Sequence, residues 1–227
     1  MGCVGQDPLP VPANVRNVEA HPEARIFTDD FLVTVRGLIG LHHSIYRRNP
    51  PQGIYFEALV TEAFRRIRKP VTIIERSGPT LPGHDLLVED KRISLKTETG
   101  AGTRLDQISI TKLCTTEREP WTAEALIERV LQHIGTTSSS CYAQFGKTRS
   151  FHYQLLEISV DDLKLIGTAN LEPVGRRRGR QSLGADVQRD GDRLFHVHFD
   201  GSDGKCQIRN LDIRFCTMLE QWDITTE

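Results

Sequence analysis

LPGHDLLVEDKRISLKTETG, residues 81–100, holds the densest run of strand and turn signals in the chain. HDLLVE (84–89) and RISLKTE (92–98) are short runs of alternating apolar and polar residues separated by a polar turn at Asp90-Lys91, the pattern of a β-hairpin. VTIIER (71–76), β-branched and bounded by Gly78, Pro79 and Pro82, supplies a third strand just upstream. Side chains alternate along a strand, so Ser94, Lys96 and Glu98 share one face, while Asp85 opens the neighbouring strand.

That arrangement has a chemical use. Hydrolysing a phosphodiester with a metal requires carboxylate oxygens to hold a hard cation and a nearby ammonium to orient the attacking water or offset developing charge. Asp85 and Lys96 provide one of each. A PD-(D/E)-x-K site places an acid two residues before the lysine, where this chain has Ser94. The nearest replacement is Glu98, two residues after Lys96; Glu75 on the preceding strand and Glu62 on the helix before it are further candidates. The peptide carbonyl of Leu95 is also within reach of a metal. Ser94 is either a bystander or a hydrogen-bond donor to a metal-bound water. Acidic and basic residues on adjacent strands are common on solvated faces, so spacing alone does not distinguish a site from a surface.

Upstream, YFEALVTEAFRRIRK (55–69) carries Phe56, Leu59, Val60, Ala63, Phe64 and Ile67 at helical spacing and stops before Pro70. Downstream, QISITKL (107–113) reads as a strand. EALIERVLQHI follows as a second amphipathic helix, with Thr122 as its N-cap. FHYQLLEI (151–158), LFHVHF (194–199) and KCQIRNLDIRF (205–215) are further strands, and the basic run GRRRGR (175–180) lies between the first two. Helices interleaved with strand clusters predict a mixed α/β domain.

The composition is compatible with this. The 227 residues, 38% of them hydrophobic, are enough for one sizeable core, read as a single domain over 25–227 behind an extended or disordered arm at 1–24, rich in Pro, Asn and Gly. Twenty-nine basic and thirty acidic residues give a net charge of -1, so a nucleic-acid partner must be gripped by local patches. Five cysteines (Cys3, Cys114, Cys141, Cys206 and Cys216) without a C-x-x-C pair argue against a disulfide framework or zinc site and fit a bacterial cytoplasm. No apolar run is long enough to span a bilayer, the start MGCVGQDPLP does not read as a signal peptide, and Gln6 spoils a lipidation motif.

Over a longer span the chain resembles the SmaI/ScaI group of type II restriction endonucleases. PGHD is followed in order by SLKTE, ISITKL, a Trp before EALIERVLQHI, FHYQLLEIS, HFDGSDGKCQIRNL and a closing QWD, with FTDDFL, His42-His43 and TEAF upstream. The similarity runs from about residue 26 to about 224, omitting 170–193, and is strongest toward the SmaI branch. It implies a PD-(D/E)-x-K restriction-endonuclease-like sheet flanked by helices, Mg²⁺ as cofactor, Asp85 as the metal-binding acid and Lys96 as the catalytic lysine. Glu98 fits the group's K-T-E string, but the resemblance does not choose among Glu98, Glu75 and Glu62. It also implies a homodimer on double-stranded DNA, cutting a six-base-pair palindrome at its centre to leave blunt ends, CCCGGG on the SmaI side, beside a cognate methyltransferase in the host. A junction or repair nuclease of the same fold, and a DNA-binding protein that has lost cleavage, are the competing readings.

Other residues carry weaker signals. Lys112, Lys205, Gln207, Arg209 and Asn210 have side chains that read base edges or clamp phosphates, and Asp200 and Asp203 can accept from cytosine. Arg176, Arg177, Arg178 and Arg180 form either a solvated loop or a DNA arm. His196-x-His198 reads as a half-exposed strand edge, with no third ligand evident. His42-His43 reads as a phosphate contact or helix cap. Trp121 and Trp222 read as core.

Overall fold

The computed structural model describes residues 25–74, 84–99, 103–116, 119–137, 139–147 (by backbone), 150–175 and 179–225. The arm expected at 1–24, Glu75, and Arg176 to Arg178 lie outside the described residues.

A helix absent from the sequence reading opens the fold: α1, Asp29–Ile45. The Thr28 side chain accepts from the Phe31 amide, Asp29 and Asp30 lie in the first turn where the helix dipole favours acids, and Phe31, Val35, Leu38, Ile39 and His43 are buried. The next helix, α2 (Ile54–Arg66), buries Phe56, Val60, Ala63 and Phe64 as the periodicity predicts. It ends three residues earlier than the pattern, because Arg68 adopts φ 61° and the Lys69 amide turns back to the Phe64 carbonyl at 3.0 Å.

Both helices cover a mixed sheet formed by β1 (Val71–Ile73), β2 (Leu86–Val88), β3 (Lys91–Glu98), β5 (Ser139–Lys147), β6 (Ser150–Ile158) and β11 (Thr217–Thr225), in the order β1-β2-β3-β5-β6-β11. The hairpin is present, with Leu86 opposite Ile93 and Val88 opposite Lys91. Its turn lies at Glu89-Asp90, one residue earlier than read, since Glu89 takes the left-handed φ of 55° and Lys91 already pairs. β3 runs parallel to β5 and antiparallel to β2. Phe27, Phe31 and Phe64 stack between the helices with centroids 4.4–6.1 Å apart. Phe64 is fully buried there, so Phe64→Ala is expected to cost about 3–5 kcal/mol, read as a lowered urea midpoint at unchanged slope.

A second, antiparallel sheet has the order β4-β10-β9-β8-β7, from β4 (Gln107–Thr115), β7 (Glu172–Val174), β8 (Ser182–Arg189), β9 (Asp192–Phe199) and β10 (Lys205–Asp212). Its apolar face packs with α3 (Ala123–Gly135), capped as expected by Thr122 accepting from Ala125, and with the short helix α4 (Val160–Lys164). β6 serves both cores: Phe151, Tyr153 and Leu155 pack with α1 and α2, while Leu156 and Ile158 join the α3 core. KCQIRNLDIRF is not one strand: β10 stops at Asp212, whose carboxylate caps a 3₁₀ turn over Ile213–Phe215. The architecture is mixed α/β. Cys114, Cys206 and Cys216 are free and buried, and no helix among the described residues is long and apolar enough to cross a membrane.

Candidate active site

The hairpin fixes Asp85 by its backbone. Its amide donates to the Ile93 carbonyl at 2.8 Å and its carbonyl accepts from the Ile74 amide at 3.1 Å, locking the residue between β1 and β3. One carboxylate oxygen, Oδ2, then accepts from the Leu95 amide at 2.6 Å and the Ser94 hydroxyl at 3.2 Å, with the Lys96 ammonium 3.5 Å away. Lys96 Nζ also donates to Ser94 Oγ at 2.7 Å and to the Leu95 carbonyl at 2.9 Å. The structure thus brings Asp85, Ser94, Leu95 and Lys96 into one polar cluster.

Burial sharpens these interactions. The Asp85 and Lys96 side chains are only 10% and 20% exposed, so their attraction is screened less than that of a surface pair. Ser94, 4% exposed, is no bystander: it accepts from the lysine and donates to the aspartate, spacing two opposite charges. Three oxygens of different kinds, a carboxylate, a hydroxyl and a peptide carbonyl, converge on one cationic head. Such an all-oxygen donor set suits a hard cation.

Glu98 takes a different direction. Its Oε2 accepts from the Ser109 amide at 3.0 Å, tying the end of β3 to β4 and so one sheet to the other. Sequence reasoning missed Ser109, because a main-chain donor leaves no residue signature. Glu62 forms an ion pair with Arg66 at 2.9 Å on a solvated side of α2. Among the described residues no three His, Cys, Asp or Glu side chains converge as a metal cluster.

The outer face of the second sheet carries the remaining candidates. Registers β8·β9·β10 align Asp186, His196 and Arg209 in one row and Gly184, His198 and Gln207 in the next. The Asp186 carboxylate accepts from His196 Nδ1 at 2.8 Å, and Arg209 donates two hydrogen bonds to Gln207 Oε1, at 2.7 and 3.1 Å. The His196-x-His198 pair is therefore not on a strand edge, since β9 is internal to its sheet. Burial, with the Arg209 charge next, depresses the basicity of His198, and hydrogen bonds from Ser202 hold the Asp200 carboxyl below its ordinary range. A bulge sets Ile208 opposite Ile110 but Leu211 opposite Ile108, leaving Arg209 and Asn210 both exposed, with Asn210 at φ 54°. Bulges re-aim side chains in this way. Lys205 pairs with Asp203 at 2.5 Å, and Lys112 is exposed.

Four further residues, His42, His43, Trp121 and Trp222, take definite places in the fold. His43 is buried against the Tyr153 hydroxyl, and burial lowers its basicity; His42 meets the Asn49 carbonyl at 3.0 Å beyond the end of α1. Trp121 is only partly buried, under the Arg180 guanidinium at 3.8 Å, which commits that arginine to local packing. Trp222 is likewise partly buried, stacked on Tyr153 at 5.0 Å.

A model of the SmaI family, type II site-specific deoxyribonucleases, matches residues 14–224, nearly the whole chain. The chain belongs to the SmaI family. The match begins about a dozen residues before the similarity read from the sequence, inside the expected arm. A curated relative, the type II restriction enzyme SmaI of Serratia marcescens, is 28% identical over 149 residues, covering 63% of this chain. The matched stretch spans 60% of that relative's length. No solved structure matches the chain.

Proposed function

We propose that this SmaI-family chain is a Mg²⁺-dependent type II restriction endonuclease of the PD-(D/E)-x-K kind. It would hydrolyse both strands of double-stranded DNA as a homodimer at CCCGGG, leave blunt ends, and act in a bacterial cytoplasm beside a cognate methyltransferase. The observation that carries the reading is the Asp85-Ser94-Leu95-Lys96 cluster, in which a carboxylate, a carbonyl and an ammonium occupy one half-buried spot on the hairpin.

Asp85 and the Leu95 carbonyl would hold the metal, with Glu98 as third ligand and Glu62 or Glu75 as substitutes for it. When bound, Mg²⁺ supplies polarisation of the scissile phosphate and a lowered pKa for water. The chain's own residues do the positioning. The Leu95 amide fixes one Asp85 oxygen at 2.6 Å. Lys96, held by Ser94, keeps its ammonium where the attacking water and the departing charge both need a cation. Base reading falls to the outer face of the second sheet: Arg209 and Lys205 suit guanine, Asp200 and Asp203 suit cytosine, and Lys112, Gln207, Arg176 and Arg178 complete the DNA contacts.

Cleavage is expected to require Mg²⁺, to stop with chelator, and to leave DNA bound but uncut in Ca²⁺. Turnover that survives chelation would remove the reading. Glu98→Gln keeps an acceptor for the Ser109 amide but deletes the charge, so stability should hold while cleavage falls by about 10²-fold or more. Cutting at the wild-type rate would transfer the third-ligand role to Glu62 or Glu75.

A further inference from the structure

The described residues leave one face of α1 uncovered. Val33, Gly37, Leu41 and Ile45 recur every four residues along it, with Gly40 and Ser44 beside them, and Val33, Leu41 and Ile45 are 61%, 57% and 69% exposed. Tyr46, Ile54 and Tyr55, where α1 ends and α2 begins, are exposed as well, and the two tyrosine rings lie against His42 and each other. Contiguous exposed apolar area of this kind marks interaction surfaces.

The glycines add an independent observation. A Cβ at Gly37 or Gly40 would meet nothing within 4 Å, so nothing among the described residues calls for glycine there. Each glycine nevertheless costs a helix interior about 1 kcal/mol relative to alanine. Close approach of another backbone gives them a purpose.

Symmetry and charge select the occupant. Gly37 is the midpoint of Asp29–Ile45. Two such helices crossing antiparallel at Gly37 place Val33 of each copy against Leu41 of the other. The same crossing sets the Asp29-Asp30 end of each helix beside the exposed Arg47-Arg48 end of the other, whereas a parallel pair would set acid beside acid. A self-complementary patch is what a two-fold interface requires.

We propose that α1 packs antiparallel on α1 of a second copy of this chain, about a two-fold axis passing at Gly37. The inference rests on the dimeric part of the proposed function and not on its chemistry. Helix axes about 8–10 Å apart bring facing Cα atoms to about 3–5 Å, near the span of a disulfide. The test measures the mass of the full-length protein, without DNA, by sedimentation. Wild type should sediment at twice 25.6 kDa and Leu41→Glu at 25.6 kDa with its circular dichroism unchanged. Gly37→Cys, treated with a mild oxidant, should give a covalent dimer that wild type does not. If wild type is dimeric, Leu41→Glu stays dimeric and Gly37→Cys does not cross-link, the chain dimerises elsewhere and this interface is wrong while the dimeric reading stands. A wild type monomeric at every concentration, as when residues 1–24 cover the face, overturns both and leaves the cleavage chemistry to its own metal test.

Discussion

Lys96→Ala is expected to reduce DNA cleavage by about 10²–10⁴-fold while folding and cognate DNA binding stay near wild type. The Lys96 side chain is 20% exposed, and without it the Asp85 carboxylate keeps the Leu95 amide and the Ser94 hydroxyl as donors. Little stability is therefore at stake. Its proposed work is done as charge develops on the phosphate, so the loss should appear in kcat and not in KM. Single-turnover rates on a cognate duplex beside a binding isotherm separate the two. A cleavage defect matched by an equal loss of binding would make Lys96 a phosphate clamp instead.

Asp85 should give the second large effect, divided between two variants. Asp85→Asn is nearly isosteric and keeps an acceptor for the Leu95 amide, so the fold should survive while cleavage falls by about three decades, the scale of a lost Lewis-acid site. Asp85→Ala should lose cleavage alike and also stability. It strands the amide of Leu95, a residue only 5% exposed, at a cost of about 1–3 kcal/mol. Magnesium titration of the two variants should show the same weakened metal binding, whereas their urea midpoints should differ. Wild-type metal affinity in Asp85→Asn would remove Asp85 from the metal shell.

Much of the fold can be read from local pattern. α2 and α3 have dense apolar stripes, and Thr122 announces the start of the second. The hairpin follows from alternation plus a turn. α1 escapes the same logic because Val33, Leu41 and Ile45 on its exposed side blur the contrast with the buried one, although Thr28-Asp29-Asp30 is a proper helix start. β5 (SSCYAQFGK) and β8 (SLGADVQR) are too polar or glycine-containing to register as strands, and they form because neighbouring strands supply hydrogen-bond partners on both sides. Within the site, the hairpin makes the meeting of Asp85 with Lys96 legible, since both lie within twelve residues. The bridging role of Ser94 depends on rotamers, and the bond from the Ser109 amide to Glu98 depends on how two sheets abut. Neither leaves a trace in spacing. The bulge at Arg209-Asn210 is equally silent until β4 is seen beside β10.

A digest of a sequenced plasmid with the purified protein and Mg²⁺, followed by sequencing of every end, reads target and cut together. Blunt ends are expected, each falling between the central C and G of CCCGGG, and none when the metal is chelated. Staggered ends or breaks at another fixed sequence would contradict the assigned target; breaks without any fixed sequence, or none at all with Mg²⁺ present, would contradict the restriction endonuclease itself.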